Sequence, residues 1–492
     1  MLKNVSLVFL GNALSKILGA GREVLSAAFF GTGAAMGAFR VGLTATLVPA
    51  NFFTSDALNS AFIPLYKRFA VESKDRAQTL LWALGGLFGL ISLLIGLCIW
   101  LWAVSWIRLL APGIDQETAI LATNMLHVMG IGVPFYLASA LVMFLGMAND
   151  DFVPMTLRPV FQNLGLIAGV IAAYLFHNLT LLAWGFTASY MAFSAWVLCR
   201  AARADFLNLP GYWDWPQVSD VLRAFWACLR PLVLLPFMLQ GNVVIERMVA
   251  SFIGLAAISA LDYARFVTDT LIFLISVPVG FAGLAHWSDL SADAMRDHLH
   301  KILMLMLLLA VPASAFLSVH ATLVVEALYA RGAFDAESVA VTSDILFGAA
   351  VGLWAQVFGY VLIKGLSAQL RNRAVFGVMI CALFVNSIVN LLLYKSFGAM
   401  ALGFGNAAYG LVLLMGTVTA LGLWRPLLVH GWVIVPSVFG YVVLSTLLPL
   451  PESVGGGMVI ASGFAVIYWI SCIFLTRSLR SVVLTALKYE LR

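Results

Sequence analysis

Residues 15–39 read SKILGAGREVLSAAFFGTGAAMGAF, a stretch apolar and long enough to cross a membrane that nevertheless carries Lys16, Arg22 and Glu23. A charge on a spanning helix costs about 2.5–3.5 kcal/mol on insertion scales, so such groups face a partner or a wet cavity. A weaker copy of the stretch returns 223 residues later, where Glu23, Ala27, Phe29, Gly31 and Ala34 are matched by Glu246, Ala250, Phe252, Gly254 and Ala257. A second echo lies between APGIDQET at 111–118 and ARGAFDAES at 330–338. Two matches at nearly one offset predict an internal duplication.

The rest of the chain fits that reading. Of its 492 residues 62% are hydrophobic and only 10% charged, against roughly one quarter charged in soluble domains. This composition predicts an all-α polytopic membrane protein. Apolar segments of about 20 residues number fourteen, near 5–30, 37–65, 78–104, 120–147, 154–176, 179–199, 226–252, 256–284, 301–328, 340–366, 374–396, 400–424, 431–449 and 454–476. The predicted organisation is an N-lobe of six helices (1–200), an interfacial linker (201–223) serving as hinge, a C-lobe of six helices (224–424), and a final helix pair with a tail (425–492). Repeats of six spans share one orientation and are expected to enclose a central cavity about an axis along the membrane normal. Placing both termini in the cytoplasm puts most of the 28 Lys and Arg on the cytoplasmic face and only Arg108, Arg331 and Lys395 on the other, as the positive-inside rule requires. Lys3 and the apolar run after it lack a cleavage site, so the first span is expected to be retained.

The basic excess is scattered in short clusters, which argues against nucleic-acid binding. No phosphate-cradling glycine loop, zinc-binding HExxH or GxSxG nucleophile elbow is present, so neither an ATPase nor a hydrolase is predicted. Cys98, Cys199, Cys228, Cys381 and Cys472 stand singly and are read as inert packing, and His127 near Pro134 likewise. What remains are charges concentrated in four spans: Lys16, Arg22, Arg40, Arg247 and Arg265 against Glu23, Asp56, Glu246, Asp262 and Asp269. They fit structural ion pairs or the wall of a cavity for an anionic headgroup, in which arginine forks match diphosphate oxygens. Asn386 and Asn390, one helical turn apart, with Asn406 and Glu246, fit either interhelical hydrogen bonds or oxygen ligands for a small hard cation.

Residues 15–33, SAFIPLYKRF at 60–69, ERMVASFIG at 246–254, Tyr263-Ala264 and LYARGAFDAES at 328–338 resemble the motifs of the MurJ (MviN) lipid II flippases, within the multidrug/oligosaccharidyl-lipid/polysaccharide exporter superfamily. The resemblance implies a transporter, not an enzyme, that carries the undecaprenyl-diphosphate-linked peptidoglycan precursor from the cytoplasmic to the periplasmic leaflet of the bacterial inner membrane by alternating access. It implies headgroup binding by Lys16 and Arg22, and a sodium site at Glu246, Asn386, Asn390 and Asn406; the clustered charges add Arg40, which is new to this chain, Arg265, one place before the usual arginine, and Ser15, Glu23 and Asp56 as candidate headgroup residues. It implies no resident cofactor, coupling to sodium or the membrane potential, and a lipid-tail groove along the last two helices. Lipid II and membrane lipids are the implied partners, cell-wall synthesis enzymes are candidates, and a monomer is expected. The chain departs from the family pattern at Gly37, where an acidic residue is usual, at Ala50-Asn51, where Arg-Arg is usual, and at Phe266. A flippase for another polyprenyl-diphosphate oligosaccharide is therefore a rival reading. A cation-coupled drug exporter and a non-transporting scaffold are others.

Overall fold

The computed structural model of the chain describes residues 2–211, 213–287, 290–476 and 480. Every element among them is helical, as expected of a chain whose backbone N–H and C=O groups must be satisfied within each segment when water is absent. The helices divide into two compact units, Met1–Ser259 and Ala260–Arg492.

The first unit contains α1 (Leu2–Phe30), α2 (Ala34–Thr54), α3 (Asp56–Glu72), α4 (Lys74–Leu110), α5 (Gln116–Ala148), α6 (Val153–Leu175), α7 (Thr180–Arg203), α8 (Trp215–Leu229) and α9 (Leu234–Ile253). Its core is built around α5, the best buried of its spanning helices, against which α2, α4 and α7 pack. Helices α6 and α7 approach closely because both offer glycine: a Cβ on Gly169 would lie 2.8 Å from the Gly185 Cα. Small residues of this kind let membrane helices gain van der Waals contact where no hydrophobic drive is available.

The second unit receives most of α10 (Leu255–Trp287), then α11 (Ala292–Val319), α12 (Ala321–Tyr329), α13 (Ala336–Ala368), α14 (Asn372–Phe397), α15 (Met400–Leu421), α16 (Trp424–Thr446) and α17 (Val454–Leu475). Here α13 occupies the buried position, with α11 and α15 against it. A Cβ on Gly352 of α13 would meet the Ala407 Cα of α15 at 2.4 Å.

Helix starts recur along the chain. α2, α5, α6 and α7 begin at residues 34, 116, 153 and 180, and α10, α13, α14 and α15 at 255, 336, 372 and 400, offsets of 219 to 221. The two echoes found in the sequence are also structural. Gly31 (φ 55°) ends α1 and Gly254 (φ 155°) follows α9, positive-φ conformations that glycine adopts without a Cβ penalty. The Asp115 carboxylate caps α5 by accepting from the Thr118 backbone N–H at 2.9 Å and from its hydroxyl at 2.6 Å. Asp335 caps α13 in the same way, accepting from the Ser338 N–H at 2.8 Å.

Three of the expected spans are interrupted. The segment expected at 37–65 breaks at Ser55, whose extended backbone (φ −66°, ψ 164°) separates α2 from α3 while its hydroxyl donates back to the Phe52 carbonyl at 3.3 Å. That local bond offers the chain an alternative to continuing the helix. The segment expected at 226–252 is broken between α8 and α9, where a single 3₁₀ turn, Arg230–Leu232, precedes a 53° bend. Pro231 has no N–H to give the helical ladder there. The segment expected at 301–328 breaks at His320, between α11 and α12.

Among the described residues nine helices are long and apolar enough to cross a membrane, and ten if the bent pair counts as one span. The fourteen expected spans are therefore not all recovered by length and composition among the described residues. The linker is secured rather than loose. Gly211 N–H donates to Asp75 Oδ1 at 3.0 Å, Trp82 Nε1 donates to the Asn208 carbonyl at 3.0 Å, and Arg76 pairs with Asp220 at 2.5 Å. All five cysteines are free, and four of them are exposed rather than packed in the core.

Candidate functional site

The charged face of α1 is met by α2 and α6. Glu23 is buried, and its carboxylate accepts from two guanidinium groups: Arg22 beside it and Arg40 of α2, 17 residues on. Arg22 Nε lies 3.1 Å from Glu23 Oε1, and Arg22 Nη1 donates to Asn163 Oδ1 of α6 at 2.9 Å. Asn163 in turn donates through Nδ2 to the Ser15 carbonyl at 3.0 Å and to its hydroxyl at 3.1 Å. Ser15, Arg22, Glu23 and Arg40 are thereby linked, and Lys16 is half-buried next to Ser15 on the same helix.

The pairing divides the expected anion binders. Arg40 is 6% exposed and turned onto Glu23, whereas Arg22 keeps 20% of its side chain accessible. Arg40 therefore serves chiefly to neutralise Glu23 and tie α2 to α1. One carboxylate is thus shared by two arginines. The Asp56 side chain lies outside the described residues.

Asn163 could have been suspected from the sequence only as an amide in an apolar span. A second group, Arg158, is indistinguishable in the sequence from the basic residues of the cytoplasmic face. Arg158 lies within α6, its guanidinium 4.4 Å from the ring centre of Tyr136 and 5.8 Å from that of Tyr190. The rings are themselves fixed, Tyr190 donating its hydroxyl to Gln162 Oε1 at 3.0 Å and Tyr136 donating to Asn51 Oδ1 of α2. No ion pair to Arg158 is formed among the described residues. A cation–π contact returns about 0.5–2 kcal/mol, less than the roughly 2.5–3.5 kcal/mol of placing the charge in a bilayer. The rings therefore do not settle the Arg158 charge unaided.

Two departures from the family pattern acquire a local setting. Gly37 is buried with the Leu255 side chain 2.7 Å from where a Cβ would stand, so an acidic side chain there has no room without displacing that leucine. Asn51, in place of a second arginine, is the acceptor for Tyr136.

Glu246 and Arg247 are buried on α9, and Arg247 Nη1 donates to the Ile258 carbonyl at 2.6 Å across the Gly254 break. In the second unit Arg265 is half-buried on α10. Asn390 Nδ2 donates to Asn386 Oδ1 at 2.7 Å on α14, and Asn390 Oδ1 is buried with no hydrogen-bond partner among the described residues. A Cβ on Gly405 of α15 would stand 2.0 Å from that oxygen, so the bare glycine backbone makes room for the amide pair. Asn406 is half-buried beside it in sequence. These are hard oxygen donors of the kind a sodium ion takes. Among the described residues no three His, Cys, Asp or Glu side chains converge on a metal position.

Known proteins are similar to this chain along most of its length. A family model described as "Lipid II flippase MurJ" matches residues 26–478. A "Probable lipid II flippase MurJ" of Synechocystis sp. is 29% identical over 80% of this chain and 76% of its own length. A protein of the same description from Thermotoga maritima is 24% identical over 90% of this chain and 96% of its own. Among solved structures, "Lipid II flippase MurJ, inward closed conformation" superposes with a TM-score of 0.83 at 19% identity, covering 96% of this chain and 99% of that one. An inward-facing multidrug resistance transporter of the MATE family gives 0.66 at 14% identity over 84% and 95%.

Proposed function

The chain belongs to the MurJ family of lipid II flippases, and we propose that its first unit receives the lipid's diphosphate at Arg22, with Lys16 and Ser15 beside it. It is a multi-span transporter of the bacterial inner membrane that moves lipid II, and not an enzyme. The observation that carries the headgroup assignment is the Arg22 fork, held from behind by Glu23 and Asn163 and still 20% exposed. A guanidinium positioned by two acceptors is preorganised to offer its remaining N–H groups to phosphate oxygens.

Arg265 of the second unit supplies a further cation in this proposal, and transport proceeds by alternating access with both termini in the cytoplasm. Sodium or the membrane potential supplies the coupling, with Glu246, Asn386, Asn390 and Asn406 as the ion's oxygen donors. The protein works as a monomer, and cell-wall synthesis enzymes are its candidate partners.

The test is Arg22→Ala in cells depleted of their own flippase. Loss of growth and of outer-leaflet lipid II at normal protein abundance is the expected result. Undiminished growth on the variant would remove Arg22 from the headgroup site. For the ion, sodium-dependent thermal stabilisation is expected in the wild type and not in Glu246→Ala, and equal stabilisation of both would exclude Glu246.

A further inference from the structure

We propose that Arg158 is a second anion-binding station on the headgroup's path, engaging the diphosphate on the cytoplasmic side of Arg22. The inference rests on the flippase reading above.

Its placement comes from two helices. On α6, Arg158 precedes Asn163, the partner of Arg22, by five residues, which is about 7.5 Å along a helix axis. On α2, Asn51 follows Arg40 by eleven residues, close to three full turns, so both share one face. Arg40 closes the Glu23 layer, and Asn51 holds Tyr136 against Arg158. The two polar layers therefore lie one beyond the other along the same face of α2. In the orientation proposed above, the second is nearer the cytoplasm.

The chemistry separates Arg158 from a purely structural cation. Arg40 is matched by a buried carboxylate, whereas half-buried Arg158 has no carboxylate partner among the described residues and lies against Tyr136 and Tyr190. The two rings, tilted 56° to each other, hold the guanidinium through cation–π contact, which uses none of the N–H donors that a fork offers to oxygens. Both phenols are anchored through their hydroxyls, so the aromatic walls around Arg158 are in place before any ligand arrives. An anion bound there would offset the charge that the rings leave uncompensated.

The experiment measures binding of undecaprenyl diphosphate, with neutral undecaprenol as reference, to the purified full-length protein, alongside its melting temperature without lipid. Arg158→Gln is expected to weaken diphosphate binding roughly tenfold, as loss of a hydrogen bond to a charged group does, with undecaprenol binding unchanged. Arg158→Lys, which keeps the charge but loses the planar fork, is the variant that decides if the glutamine protein does not fold, and weakened diphosphate binding at an unaltered melting temperature supports the station. Wild-type affinity in the folded variants, or a lowered melting temperature with affinity intact, would reduce Arg158 to a structural staple and overturn the proposal while leaving the flippase reading standing. If the wild type itself does not prefer the diphosphate to undecaprenol, the headgroup assignment fails and the station with it.

Discussion

Replacing Glu23 by glutamine keeps the volume of the side chain and removes the charge that two arginines share. Arg40, 6% exposed, would then face a neutral amide. Breaking a buried ion pair by removing one partner costs about 3–5 kcal/mol, because the remaining charge stays desolvated. Arg22 is partly exposed and can recover some hydration, so the lower half of that range applies. At roughly 2–4 °C per kcal/mol for a body of 150–250 residues, a loss near 3 kcal/mol lowers the melting temperature of the first unit by about 6–12 °C. The assay is thermal unfolding of the detergent-solubilised protein followed by tryptophan fluorescence. The decisive member of the series is the double variant Glu23→Gln/Arg40→Gln, in which neither buried partner is charged. It is expected to melt above Glu23→Gln alone, with a coupling of about 0.5–3 kcal/mol. If Glu23→Gln melts with the wild type, or the second substitution adds a further full penalty, Glu23 and Arg40 do not neutralise each other and the assignment of Arg40 to structure is wrong.

Gly352→Leu should disrupt the seam between α13 and α15, because even a Cβ there would stand 2.4 Å from Ala407; a loss of about 3 kcal/mol, the upper range of overpacking, would be read as reduced yield and melting temperature. Asp115→Ala should cost about 1 kcal/mol by removing the α5 cap. The Thr118 hydroxyl and N–H hold the Asp115 carboxyl below its ordinary value, so the stabilisation is complete above the unfolded pKa and is lost as pH falls through the folded one; a wild type and variant whose melting temperatures do not converge in acid would contradict this. Leu370 sits at φ 57° and is 82% exposed, a conformation that costs a side chain about 1–2 kcal/mol. Leu370→Gly should therefore be neutral to slightly stabilising, after the added flexibility of glycine is deducted, and a clear fall in melting temperature would show that the leucine makes a contact of its own.

The sequence was most legible where one physical rule dominated. Apolar runs and the two echoes located most helices within a few residues, and the echo of DQET in DAES proves to be a helix cap in each unit. The breaks at Ser55, Pro231 and His320 were hidden because hydropathy does not register a hydroxyl returning to a carbonyl or a single 3₁₀ turn. In the site, Ser15, Arg22, Glu23 and Arg40 were all named from their charge or place, but nothing in the spacing distinguished the arginine that is spent on Glu23 from the one that keeps an open face. Arg158 was missed for a different reason. It lies near the start of α6, where basic residues serve as topology signals, and only the rings of Tyr136 and Tyr190, distant in sequence, set it apart.

The bond from Arg22 to Asn163 spans 141 residues and that from Arg40 to Glu23 spans 17, which has a consequence for how the protein is made. Chains elongate at about 5–20 residues per second, so the carboxylate of α1 waits on the order of 1–3 s for Arg40, whereas Arg22 waits on the order of 7–28 s for Asn163. During the longer interval the newborn first helix holds a charge whose final amide partner has not been translated. Helix α1 is thus made well before the partner that completes its polar face, and until α6 arrives it depends on the insertion machinery or on water to shelter Arg22.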